Sequence, residues 1–250
     1  MIKLNRSAEP AVLSVNKVKW LSELTAAVKK YGSYKAIPDT EKEKLICFYR
    51  HDDIKHALEE SSLGKCAFCE GKPAESGNIE VEHFAPKSIH YQYTFEWSNL
   101  LPCCRRCNGS KGTHDTVASP IVNPYDHDPR DYFYFQDISM RPVRGANYEI
   151  AAKTIEVCGL DGTRLLRPRA TLLISIRQFI TDLNEALIKL STSQSPQNHT
   201  RRMRKLAEAV DRIENAMHPS ESHSSFIRSI VENEEAYNEA KRLIASRTLV

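Results

Sequence analysis

Residues 66–112 read CAFCEGKPAESGNIEVEHFAPKSIHYQYTFEWSNLLPCCRRCNGSKG, and the cysteines at its two ends set the reading of the fold. Cys66-x-x-Cys69 and Cys104-x-x-Cys107 each have the spacing of a zinc knuckle, a tight turn in which two thiolates converge on one ion. Two knuckles complete a closed tetrahedral site of four cysteines, so the pattern predicts structural Zn²⁺. The competing reading is a set of coincident buried or redox thiols. Cys103 competes with Cys104, but only Cys104 gives the two-residue spacing to Cys107. The 34 residues between the pairs exceed a minimal ribbon, and the insert is expected to be a structure in its own right.

The insert holds a second constellation. Residues 79–84 alternate apolar and acidic positions, which predicts a short strand closed by Glu82 and His83, with Pro86 stopping it. Tyr91, Tyr93, Phe95 and Trp97 also alternate, and predict the second strand with its core contacts rather than a base-stacking surface. Asn99 lies just before the second knuckle, Asn108 directly after it, and Lys111 three residues further. A helix starting at the knuckle would project Asn108 and Lys111 from one face. Carboxylate, imidazole, carboxamide and ammonium in one cleft are the parts of a single-metal phosphodiesterase. An oxygen donor pair suits Mg²⁺ or Mn²⁺ better than zinc. An imidazole off the metal can deprotonate water near neutral pH.

Outward from this core the chain turns helical on both sides. Residues 1–62 predict helices, the first carried by Val18, Leu21, Leu24, Val28 and Tyr31 with Ser14 as a candidate cap and Gly32 after them. A second is expected from Asp39 or Thr40, resuming after a break over 54–58. Residues 116–149, rich in Pro, Asp and Tyr, read as a loop with a short strand or hairpin that wraps the small domain. Residues 150–250 return to helix. Leu172, Ile176, Phe179, Ile180, Leu183, Leu187 and Leu190 form an amphipathic stripe, 191–198 a linker, and further helices are expected at about 200–217 and 226–246. The fold class expected is mainly α with a small α+β subdomain at 63–115. Cys47 and Cys158 sit in apolar helical surroundings and read as core.

Composition bounds the rest. With 250 residues, 41% hydrophobic and 27% charged, the chain is in the soluble globular range and needs no disulfides to fold. No apolar run reaches the roughly 18 residues of a membrane span, and the opening MIKLNRSAEP lacks a signal-peptide core, so a cytoplasmic protein without a membrane partner is expected. The net charge of +3 is uninformative, but residues 163–205 hold nine basic against two acidic residues, and 206–250 five against eight. That asymmetry fits a polyanion surface through Arg201, Arg202 and Arg204 beside a docking surface, or simply two solvated helix faces.

The order Cys-x-x-Cys, Glu-His, Asn-Leu, Cys-x-x-Cys-Asn-x-x-Lys-Gly resembles the HNH endonucleases of the ββα-metal type with a zinc-knuckle scaffold. The resemblance implies His83 as general base, Glu82 and Asn108 as ligands of a catalytic Mg²⁺ or Mn²⁺, Asn99 bracing the loop and orienting His83, and Cys66, Cys69, Cys104 and Cys107 on structural zinc. Glu82 stands where Asp is usual and Asn108 where the last His would stand. MIKLNRSAEPAVL, VEHFAPKS, WSNLLPCCRRCNGSKG and NPYDHDP extend the likeness to the HNH nucleases of Septu anti-phage systems, with relatives beside some retrons. Members of that family work with an ABC-type ATPase, PtuA, which implies that the helical regions dock such a subunit.

The expected activity is hydrolysis of DNA. The alternatives are an HNH ribonuclease, for example on tRNA, and a non-catalytic zinc module binding nucleic acid or a partner. Lys111, Arg105 and Arg106 are the expected phosphate contacts, each with a solvated alternative. His90 and His114 have only proximity in sequence to recommend them. His83 on its own would read as a core histidine, Glu82 as a surface strand residue, and Asn99 as an Asx-type turn.

Overall fold

The computed structural model describes residues 1–73 and 79–248, with side chains described through residue 246; residues 74–78 of the 63–115 segment and the last two of the C-terminal region lie outside the described residues. The chain is mainly helical, with two small two-stranded sheets. It divides into two compact units, Met1–Tyr134 with Met140–Asp161, and Phe135–Ser139 with Gly162–Val250.

In the first unit, helix α1 (Ala11–Tyr31) starts directly after Pro10 and ends at Gly32, whose φ of +83° is the left-handed stop that glycine takes without strain. Its start precedes Ser14, so Ser14 is inside the helix and not its cap. The buried face shifts accordingly. Leu13, Trp20, Leu24 and Ala27 face the core, while Val18 of the expected stripe is 76% exposed. Helix α2 (Asp39–Ile46) follows Pro38, a tight 3-10 turn Cys47–Arg50 breaks it, and α3 (Asp52–Ser61) resumes. Trp20 stacks on Phe48 with ring centroids 4.7 Å apart and touches Phe95 at 5.5 Å. Through these rings the N-terminal helices share one core with Val81, Phe95, Trp97 and Leu100 of the cysteine-rich segment.

Strand β1 (Glu80–His83) lies where the alternation places it. The second strand does not. Residues 91–97 instead form two 3-10 turns, Tyr91–Tyr93 and Trp97–Asn99, and β2 is Leu100–Cys103, with all four residues buried. The reason is local. Backbone bonds Thr94 N to Tyr91 O and Asn99 N to Glu96 O close turns where an extended ladder would need open N–H groups. Arg6 then clamps the second turn, its guanidinium donating to the carbonyls of Trp97 (2.6 Å), Ser98 (2.9 Å) and Leu100 (2.9 Å). The strands pair antiparallel, with Glu80 opposite Cys103, Glu82 opposite Leu101 and His83 opposite Leu100. Helix α4 (Arg105–Lys111) follows immediately and packs against β1.

Residues 116–134 and 140–161 complete this unit. The loop at Asn123–Asp128 is held by its own side chains, and α5 (Tyr148–Val157) offers Thr154 Oγ1 to the Val122 N–H at 2.8 Å. Strands β3 (Phe133–Gln136) and β4 (Ser139–Pro142) form the hairpin expected in the 116–149 segment.

The second unit is a bundle of α6 (Thr163–Ser191), α7 (Pro196–Ala216), α8 (Ser224–Val231) and α9 (Glu235–Thr248). Ile176, Ile180, Leu183, Leu187 and Leu190 of α6 form its core with Leu206, Val210 and Ile213 of α7. Phe179, counted in the stripe, is 41% exposed at its edge. The linker is shorter than 191–198 because Ser195 accepts from Asn198 N and Pro196 takes the first helical position, where its missing N–H costs nothing. The helix expected over 226–246 is two, broken at residues 232–234.

Candidate active site beside a four-cysteine cluster

The sulfurs of Cys66, Cys69, Cys104 and Cys107 all lie within 4.8 Å of one another. The first knuckle closes through Cys66 N to Gly71 O at 2.9 Å and Glu70 N to Cys66 O at 3.1 Å, and is tied to β2 by Ala67 N to Pro102 O at 2.9 Å. In the second, Cys104 caps α4, its Sγ accepting from Cys107 N at 3.4 Å. Thiolates ~2.3 Å from a tetrahedral zinc stand about 3.8 Å apart; Cys69 and Cys104 have that separation, 3.8 Å. Burial pushes the Cys66 thiol well up, whereas Cys104, accepting from Cys107, Cys66 and Cys69, is held far below the ordinary thiol range. Four sulfurs this close can share one ion, and the donor set suits zinc. Cys103 is a fifth thiol outside this group, buried, 3.8 Å from Cys66 Sγ and facing Glu80 in the ladder.

β1, stapled between the knuckles, carries Glu82 and His83 inward; both are buried. His83 Nε2 lies 3.0 Å from the Thr94 carbonyl. A carbonyl only accepts, so Nε2 carries the hydrogen and the neutral ring keeps its lone pair on Nδ1. Burial, together with the charges of Lys87, Lys111 and Arg50, lowers the ring pKa from 6.5 to about 3. Asn99 holds the loop that supplies Thr94. Its Oδ1 accepts from Ala85 N at 2.7 Å, and its Nδ2 donates to Ala85 O at 3.1 Å and Tyr93 O at 3.0 Å. Asn99 therefore braces both ends of the loop and orients His83 through Thr94.

No protein-family model matches the chain. Over 206 residues it is 31% identical to the Septu protein PtuB of Bacillus thuringiensis, an alignment covering 78% of this chain and 75% of that protein. The chain belongs to the Septu PtuB family. A PtuB from Bacillus mycoides (strain KBAB4) is 27% identical over 204 residues, covering 68% of this chain and 66% of that one.

In this member of the PtuB family the remaining expected residues take definite places. Lys111 is buried: its Nζ donates to Glu82 Oε1 at 2.6 Å and to the His83 carbonyl at 2.9 Å. It balances Glu82 and is not placed to meet a phosphate in solvent. Burial still raises the Glu82 pKa, with Lys111 acting against the shift. Asn108 Nδ2 donates to Glu80 Oε2 at 2.7 Å, so α4 meets β1 through Asn108–Glu80 and Lys111–Glu82. Arg105 and Arg106 are exposed on the first turn of α4. His90 pairs with Asp115 at 2.7 Å and His114 with Ser119 O at 2.8 Å; neither contacts His83 among the described residues. The basic segment is partly consumed by structure. Arg169 is buried, Arg177 pairs with Glu234 at 2.7 Å, Arg202 donates to Lys189 O, and Arg204 lies 3.5 Å from Glu208. Arg201 and Arg204 line an open cavity at the start of α7.

Three residues of the site had no functional reading in the sequence, Tyr49 being taken only as an apolar position of the second helix and Glu80 only as an acidic position of the strand. Glu80 is two positions before Glu82, so the strand period puts the two carboxylates on one face. Tyr49, from the turn after α2, packs edge-on to His83 with centroids 4.6 Å apart at 83°. Lys87 Nζ lies 5.1 Å from the centre of the same Tyr49 ring. The only signal for Lys87 was a basic residue directly after Pro86, four positions beyond His83.

Proposed function

We propose that this PtuB-family chain is a metal-dependent endonuclease of the HNH type that hydrolyses DNA phosphodiester bonds as an effector of Septu anti-phage defence. The observation that carries the reading is His83: a buried imidazole, neutral, donating from Nε2 to a fixed carbonyl and so offering Nδ1 as a base. An imidazole held in one tautomer with Nδ1 open, beside a carboxylate on a strand stapled by a four-cysteine cluster, is the arrangement of a general base for water. Catalysis needs the ring in one tautomer and one orientation, and Thr94, Asn99 and Tyr49 supply both. Family membership supports the defence role. The partner would be an ABC-type ATPase subunit.

Glu82 and Asn108 would hold Mg²⁺ or Mn²⁺. The fit rests on donor chemistry: Asn108 spends its N–H on Glu80, which leaves Oδ1 for a cation, and Glu82 supplies a carboxylate, with the Lys111 ammonium on its Oε1 the group an ion would compete with. Such an ion, when bound, stabilises charge developing on the phosphate and on the departing oxygen. The protein's own part is to keep His83 unprotonated, hold Nδ1 toward the reacting water and receive its proton there. Lys111 opposes the rise that burial imposes on the Glu82 pKa. The test is digestion of DNA and RNA side by side in Mg²⁺ or Mn²⁺ by wild type and His83→Ala. Loss of DNA only, abolished by the substitution, is the result expected. RNA cleavage alone would assign a ribonuclease, and no cleavage with the ATPase subunit present would leave a binding module.

A further inference from the structure

Three cations surround His83, and they are spent differently. Lys111 is committed to Glu82 and the His83 carbonyl. Arg50 is committed to both oxygens of Glu43 and, through Nε at 3.0 Å, to the Tyr49 hydroxyl. Lys87 has no hydrogen bond or ion pair among the described residues; its ammonium faces the Tyr49 ring. It is also partly buried. Burial lowers its pKa, while Glu82 attracts it only through space. The Tyr49 ring offsets part of that cost, but a half-desolvated ammonium with only an aromatic ring beside it is best completed by a ligand that brings the missing counter-charge. The ligand must then be an anion. Its position is set by Tyr49, whose ring lies T-shaped to His83 with centroids 4.6 Å apart and has the Lys87 ammonium 5.1 Å from its centre, so an anion on Lys87 lies within one aromatic ring of the imidazole.

We infer that Lys87 is the phosphate-binding cation of the His83 site, gripping a phosphodiester oxygen of the nucleic-acid substrate, and that Tyr49, held by Arg50, is the positioning residue that sets its distance from the base. The inference rests on the nuclease reading for the identity of the ligand but not for the existence of the anion site. It moves the phosphate contact from Lys111, which the sequence suggested, to a residue on the loop after β1. It also gives the N-terminal helices a part in the site, since Tyr49 belongs to them.

The experiment is binding of a fluorescein-labelled 20-base-pair DNA duplex in EDTA, followed by anisotropy across a salt series. His83→Ala is the parent, and Lys87→Gln and Lys87→Arg are made in it. One lost phosphate contact makes the slope of log K against log salt shallower by about 0.9, and binding about eightfold weaker at 0.1 M salt relative to a 1 M reference. Lys87→Gln should show both changes, and Lys87→Arg should restore the slope. As a check free of substitutions, acetic-anhydride labelling of wild type should modify Lys87 less when DNA is bound. An unchanged slope in Lys87→Gln, no protection of Lys87, or no DNA binding by the parent each overturns the inference. Metal-supported plasmid cleavage, with Lys87→Gln made this time in the wild-type chain, separates the two readings. Cleavage lost in His83→Ala but intact in Lys87→Gln, with an unchanged slope, removes Lys87 and leaves the nuclease. A changed slope without cleavage removes the nuclease and leaves the anion site.

Discussion

Replacing His83 by Gln should make the unit that contains it less sensitive to acid. In the folded chain burial takes the ring pKa from 6.5 to about 3, whereas the unfolded ring takes a proton near 6.5. Between those values the unfolded state binds more protons than the folded one, so stability is lost as pH falls, at about 1.4 kcal/mol per pH unit. From pH 7.5 to 5.0 only the part below 6.5 counts, and His83 should cost roughly 2 kcal/mol. Gln keeps an N–H for the Thr94 carbonyl and does not titrate. The assay is urea unfolding of both proteins at the two pH values in excess zinc, followed by tryptophan fluorescence. Both tryptophans, Trp20 and Trp97, lie in the same unit as His83, so the signal reports the right structure. Titration of the cysteines is common to both proteins and cancels in the comparison. Wild type should lose about 2 kcal/mol more than His83→Gln between the two pH values. Equal losses would mean that the ring is not held neutral in the folded chain.

Three further expectations follow from single contacts. Lys111→Met leaves the buried Glu82 carboxylate without its cation and should cost about 3–5 kcal/mol, with Glu82→Gln in the same chain recovering most of the loss in urea unfolding; additive losses would show that the pair is not coupled. Asn99→Ala strands the buried Ala85 N–H and should cost about 1–3 kcal/mol while speeding amide exchange across residues 85–94. Cys107→Ser should drop bound zinc from about one ion per chain to near zero by elemental analysis, with loss of the cooperative fluorescence transition. Full zinc retention would contradict the four-sulfur centre.

What was legible in the sequence was what is local in it. Cys-x-x-Cys pairs converge because a tight turn brings i and i+3 together, and no tertiary information is needed to see it. Glu82 and His83 could be placed for the same reason, on a short strand, whereas Asn99 was marked by its position before the second knuckle and by the resemblance. Lys111 could not. Its spacing from Cys107 predicts a helix face, but whether that face looks at solvent or at β1 depends on how α4 docks, and docking sends the ammonium onto Glu82. The aromatic alternation at residues 91–97 misled because period two also suits turns that bury neighbouring rings of the series, here Phe95 and Trp97. The face of α1 was misjudged by its start, since Trp20 and Leu13 bury where Val18 does not. Tyr49 and Lys87 were invisible because each gains meaning only from the other and from His83, across a long stretch of intervening chain.

The measurement closest to the central claim is the rate at which this protein nicks supercoiled plasmid in Mg²⁺ or Mn²⁺, alone and with the ATPase subunit of a Septu system, against His83→Ala and EDTA controls. The account predicts loss of supercoiled DNA that both controls abolish while the variant keeps its zinc and its fold. Cleavage that survives His83→Ala, in folded and zinc-loaded protein, would contradict it.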